Sequence, residues 1–137
     1  FQGRNEEGLE KLLPLEGEHS DWWNLLFMIG LAYKNMGEIE DAKKYFERIL
    51  ILKPHQVDTM VELGLCEAAS YNLDKAIEHF SKAAKIKEDP EVLCNLGMAY
   101  LNNGELDEAI YYIERAYELD PQDEITMSCL RELDKYR

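Results

Sequence analysis

Residues 26–54 read LFMIGLAYKNMGEIEDAKKYFERILILKP, and residues 93–121 read LCNLGMAYLNNGELDEAIYYIERAYELDP. Laid on each other, they match Ile29-Gly30 with Leu96-Gly97, Tyr33 with Tyr100, Gly37 with Gly104, Ala42 with Ala109 and Pro54 with Pro121. A middle copy lies between them, marked by Leu63-Gly64, Ala76 and Phe80. Gly30, Gly64 and Gly97 thus recur at spacings of 34 and 33 residues, and Ala42, Ala76 and Ala109 keep the same spacings. Phe46, Phe80 and Ile113 each follow their alanine by four. A fixed period in this range is the mark of stacked repeats, each burying its apolar face against its neighbours.

Each copy reads as helix, short turn, helix. Leu26, Ile29, Gly30 and Tyr33 stand at i, i+3, i+4 and i+7, as do Leu93, Leu96, Gly97 and Tyr100, with Met60, Leu63 and Gly64 in the middle copy. This is the period of a helix with one buried face. Gly37 and Gly104 fall where the first helix must stop, and glycine tolerates the left-handed backbone found there. The middle copy has Tyr71-Asn72 instead, and Asn72 is expected to take the left-handed conformation. Glu40, Asp74 and Asp107 follow each turn and complement the dipole of the second helix. The small Ala42, Ala76 and Ala109 let helices approach closely.

Three units follow, 23–56, 57–89 and 90–123, the first and last closed by Leu-x-Pro. Residues 124–137 are expected to form a charged capping helix, with Met127 and Leu130 on the packed face and Arg131 where the glycine would stand. Residues 4–22 are expected to hold a short helix over Glu6 to Leu13, ended by Pro14, and then a linker over 14–21. Phe1-Gln2-Gly3 resembles the residue of a protease site in an expression tag.

The chain's 137 residues suffice for one domain with its own core, and 46% hydrophobic content separates it from disordered chains. A formal net charge of −13 argues against nucleic acid and anionic membranes as partners and favours basic or neutral ones. Cys66, Cys94 and Cys129 are odd in number and lack Cys-x-x-Cys spacing, which suggests neither a zinc site nor a disulfide framework. A reducing, cytoplasmic setting is the simplest expectation. The longest apolar run, Trp22 to Tyr33, is too short to span a bilayer and carries no signal-peptide pattern.

These residues resemble the tetratricopeptide repeat, whose pattern runs Trp, Leu-Gly, Tyr, Ala, Phe, Ala, Pro over about 34 residues. Unit one supplies Leu26, Ile29-Gly30, Tyr33, Ala42, Phe46, Ile49 and Pro54; unit two supplies Met60, Leu63-Gly64, Ala76, Phe80 and Ala83, with Glu67 at the Tyr place. Unit three supplies Leu93, Leu96-Gly97, Tyr100, Ala109, Ile113, Ala116 and Pro121. The resemblance implies an all-α fold, a right-handed superhelical solenoid of antiparallel helix pairs. First helices would line a concave groove and second helices the convex side, in a module that holds segments of other proteins without catalysis.

By the same resemblance, the groove takes Phe27, Leu31 and Lys34 from unit one, Val61, Glu62 and Leu65 from unit two, and Cys94, Asn95, Met98 and Leu101 from unit three. Some members clamp a peptide's terminal carboxylate with Lys, Arg and Asn. The matching positions here are Phe27, Leu31, Glu62, Glu91 and Asn95, so that clamp is absent and an acidic tail is a poor ligand. What remains is an apolar strip edged by acids, with Asp58 and Glu91 among them. It suits a peptide or helix with apolar anchors and basic flanks, with Lys34 helping to orient it. Other readings stand beside this one, among them a regulatory domain cut from a larger protein. Residues 1–21 or sequence outside this chain would cover the strip, or a second copy would associate with it.

No catalytic constellation is present. His19, His55 and His79 are far apart, and no phosphate loop, Ser-His-Asp order or His-x-x-x-His occurs, so neither an enzyme activity nor a cofactor or metal is expected. Cys94 is read either as a modifiable groove thiol or as a small apolar filler. Cys66 is read as core, and Tyr117 as a packing position aligned with Leu50 and Ala84. Tyr111 and Tyr112 are read as an exposed convex patch.

Overall fold

The computed structural model describes residues 2–19 and 21–137. Among these there are eight α-helices and no strand. They run α1 (Gln2–Glu16), α2 (Trp23–Asn35), α3 (Ile39–Leu52), α4 (Val57–Ala69), α5 (Leu73–Ile86), α6 (Pro90–Asn102), α7 (Leu106–Leu119) and α8 (Glu124–Asp134). The pairs α2–α3, α4–α5 and α6–α7 pack most closely, and α3 meets α4 as α5 meets α6. The first helices also adjoin: α4 touches α6, and α6 touches α8. The result is an all-α solenoid.

The glycines explain how closely each pair approaches. A methyl group on Gly30 would fall 2.7 Å from the Phe46 ring, and one on Gly97 would fall 2.5 Å from Ile113. Gly64 stands in the same relation to Phe80. The ring or branched side chain of the second helix rests on the bare backbone of the first. Ala42, Ala76 and Ala109 complete each contact, and all are fully buried.

The three turns share one hydrogen-bond pattern. The amides of Glu38, Asn72 and Glu105 donate to the carbonyls of Tyr33, Glu67 and Tyr100, respectively 2.9, 2.8 and 2.9 Å away. This six-to-one closure needs a left-handed residue just before the donor. Gly37 and Gly104 supply it with φ of 82° and 81°. In the middle turn Tyr71 supplies it, with φ of 60°, while Asn72 stands at the N-cap of α5 with φ −85°. The expectation for Asn72 is corrected: the hydrogen-bond pattern, not side-chain preference, decides which residue bends. Tyr71 is 87% exposed, so its side chain returns little packing for the strain. Tyr71→Gly is therefore expected to stabilise the fold by about 0.5–1 kcal/mol, read as a higher urea midpoint with unchanged slope.

Two flanking expectations are also corrected. Pro14 lies inside α1, not at its end. Its missing amide frees the carbonyl of exposed Glu10, which solvent can satisfy, and Glu16 beyond it is held by Arg48 at 2.7 Å. On α8, the packed residues are Thr126, Cys129, Leu130 and Leu133, and Met127 is exposed. Met127 and Arg131 occupy the side where a second helix would rest, and Arg131 replaces the glycine that such a helix needs.

Unit two departs from its neighbours at one point. In units one and three, Tyr33 stacks on Tyr45 and Tyr100 on Tyr112, with centroids 5.7 and 5.6 Å apart. The matching residues of unit two are Glu67 and His79. Glu67 is only 2% exposed and pairs with Lys43 Nζ at 2.5 Å, across the junction between units one and two. At the next junction the corresponding residues are Ile77 and Tyr100, both packed on the apolar core there. A charged pair at one junction thus stands in for an apolar pair at the other. The hydrogen bond from Lys43 to the Glu67 carboxylate holds the lysine above its ordinary range. Burial holds His79 below the usual imidazole range, against the opposing pull of Glu67.

Candidate functional site

Side chains of the concave face come from α2, α4 and α6, because the Gly and Leu face of each first helix is taken by its partner helix. Phe27 is half-buried, its ring centroid 5.7 Å from that of Phe46. Leu31 packs half-buried on the same cluster. Leu65, Asn95, Met98 and Leu101 are likewise half-buried. Val61 is buried against Val92 and Leu96 of the next unit.

Cys94 corrects the expected groove. It is 1% exposed, its sulfur 3.3 Å from Thr126 Oγ1 on α8. Phe27, Val61 and Cys94 share one repeat position, and there the following first helix lies over the side chain. The thiol therefore faces the cap rather than a ligand. Lys34 also differs from expectation: its ammonium sits 2.5 Å from Glu62 Oε2, so each neutralises the other. Neither stands as a free charge.

The concave face does hold a cleft of about 200 Å³ at the N-terminal ends of α4 and α6. Phe27, Val57, Val61 and Val92 form its apolar lining, and Asp58, Glu62, Asp89 and Glu91 its acidic rim. Asp89 is partly committed: its carboxylate accepts from the Val92 amide at 2.9 Å and caps α6. Val57, Asp89 and Val92 were not in the expected set. The signal for them was their place in the first turn of each first helix, where capping acids and apolar residues adjoin.

Covering by the N-terminal segment does not occur among the described residues. Leu9, Leu12 and Leu13 of α1 pack on Leu25, Ile29 and Ala32, a different face of α2 from Phe27 and Leu31. The other tyrosine expectations are divided. Tyr111 is 65% exposed and lines a convex cleft of about 290 Å³ with Lys85, Glu88 and Arg115. Tyr112 instead stacks half-buried on Tyr100. Tyr117 is exposed, since α8 does not cover it as the next unit covers Leu50 and Ala84.

Cys66 is buried core, as its repeat position implies. Among the described residues, no group of three or more His, Cys, Asp and Glu is placed to hold a metal ion. Among them also, no helix is long and apolar enough to cross a membrane.

Comparison with known proteins places this geometry. Family models of the tetratricopeptide repeat match residues 27–92 and 90–123. Photosystem I assembly protein Ycf3 of Prochlorococcus marinus (strain NATL2A) is 27% identical, over 82% of this chain and 71% of that protein. A thermophilic TPR protein of Thermus thermophilus superposes with a TM-score of 0.80 at 22% identity, covering 97% of this chain and 73% of that one. The Yersinia enterocolitica type III secretion chaperone SycD, in complex with a peptide of the translocator YopD, gives 0.73 at 24% identity, over 82% and 86% of the two chains. The family is generally non-enzymatic, and its fold supports a protein–protein interaction module. From the matched residues and the helix pairs they form, the chain belongs to the tetratricopeptide repeat family.

Proposed function

We propose that this chain is a non-catalytic adaptor whose concave face holds a segment of another protein with apolar anchors and basic flanks. The observation that carries the reading is the cleft between α2, α4 and α6, whose lining is apolar and whose rim is carboxylate. An apolar anchor gains burial there, and lysines or arginines beside it meet Asp58 and Glu91. The net charge of −13 steers the same kind of partner toward the molecule. SycD, a structural neighbour, is seen with a peptide of its translocator, and Ycf3, a relative in sequence, is an assembly protein; both are consistent with a holding role.

Binding then extends from the cleft along Leu31, Leu65, Met98 and Leu101. Leu65→Glu places a charge in the middle of this strip on a half-buried side chain. It is expected to weaken a peptide of apolar anchors and lysine flanks by roughly ten-fold or more, with helicity by circular dichroism unchanged. Asp58→Lys with Glu91→Lys is expected to reverse the preference between lysine-flanked and glutamate-flanked peptides. Fluorescence anisotropy with both peptides reads each result. Unchanged affinity in Leu65→Glu would rule out the concave strip.

A further inference from the structure

Cys94 and Cys129 lie far apart in sequence, yet the packing of α8 on α6 puts them in one cluster. Cys94 is buried with Leu93 and Ala116, and Cys129 packs half-buried against that cluster. The two thiols act on each other, so that ionisation of one sulfur is eased while that of the other is hindered. Fully buried Thr126 closes the group, its hydroxyl 3.3 Å from Cys94 Sγ and donating to Asp123 Oδ2 at 2.8 Å. Cys66 provides the contrast: it sits in an apolar cluster with no second sulfur, and burial pushes its thiol up to about 11.

We propose that Cys94 and Cys129 are a dithiol site, which a hydroperoxide converts to an intramolecular disulfide pinning the capping helix to the third unit. Cys129, the one partly open to solvent, attacks the terminal peroxide oxygen and becomes a sulfenic acid while an alcohol, or water, leaves with its proton. The Cys94 sulfur then attacks the Cys129 sulfur, the S–O bond breaks, and the hydroxyl leaves as water with the Cys94 proton. Two thiols and one hydroperoxide become one disulfide, one alcohol and one water. A dithiol reductant reverses the change. The bridge would bear on the end of the concave strip, because Met98 and Leu101 share a cluster with Cys129, Leu130 and Leu133.

The test uses hydrogen peroxide on the whole chain, with Cys66→Ala as background so that only the pair remains. Intact mass is expected to fall by two hydrogens, with both free thiols lost and the digest showing residues 94 and 129 linked. The thermal midpoint is expected to rise by about 5 °C or more and to return on reduction with dithiothreitol. Cys129→Ser, at a half-buried position that tolerates the change, is expected to abolish both effects. Addition of oxygen to Cys129 with Cys94 left reduced would overturn the proposal, as would a bridge found only between two chains.

Discussion

Lys43→Ala is expected to lower the stability of the fold by about 3–5 kcal/mol, because it breaks a largely buried ion pair. Removing the ammonium leaves the Glu67 carboxylate, 2% exposed, buried without its cation. The cost comes from that uncompensated charge rather than from lost packing. A double variant, Lys43→Ile with Glu67→Tyr, copies the residues found at the next junction, Ile77 and Tyr100, and is expected to recover most of the loss. Urea unfolding of the two single variants and the double decides the matter. A single-variant cost under about 1 kcal/mol would mean that the pair behaves as an exposed one. The sign of the pH dependence follows from the lysine. Its folded-state value is raised, so the lysine's contribution is complete at neutral pH and is lost as pH rises through that value.

Phe80→Ala is expected to cost about 3–5 kcal/mol, because its ring is buried at the centre of unit two and its loss leaves a cavity. The informative comparison is with Gly64→Ala. In the wild-type background the added methyl would crowd the Phe80 ring, for a cost of about 1–3 kcal/mol. In the Phe80→Ala background that ring is gone, and the same methyl partly fills the space. The double-mutant cycle is therefore expected to show a favourable coupling of about 1 kcal/mol or more. Strict additivity would mean that glycine at this position serves some purpose other than admitting the ring.

The helix pairs were legible because the features that make them are local and repeated. Gly30, Gly64 and Gly97 keep one spacing from Phe46, Phe80 and Ile113, and that spacing alone states which atoms meet. Tyr71 was not legible, since residue type argues against a left-handed backbone; only the shared hydrogen-bond closure of the three turns requires it. Pro14 was misread because a proline rule describes the cost of a lost hydrogen bond and not the contacts that offset it. The concave face was expected from the family resemblance, which assigned its apolar strip and acidic edge position by position. How much of it stays open was not legible, because Phe27, Val61 and Cys94 hold one repeat position but are covered to different extents by the helix stacked above. The Lys43–Glu67 pair and the two sulfurs of α6 and α8 went unseen for a related reason. Each joins residues that look ordinary alone and acquire meaning only as neighbours.

The mismatch between the two junctions also gives each unit an address. If unit two of one chain docked onto unit two of another, Ile77 would meet Glu67, and a carboxylate would be enclosed with no cation. If unit three followed unit one directly, Lys43 would be pressed against Tyr100 with no acid to receive it. Repeats that are nearly interchangeable in shape are thus distinguished by charge. The order of the stack is written into a single pair of side chains, which penalises shuffled or exchanged assemblies that the shared backbone geometry would otherwise permit.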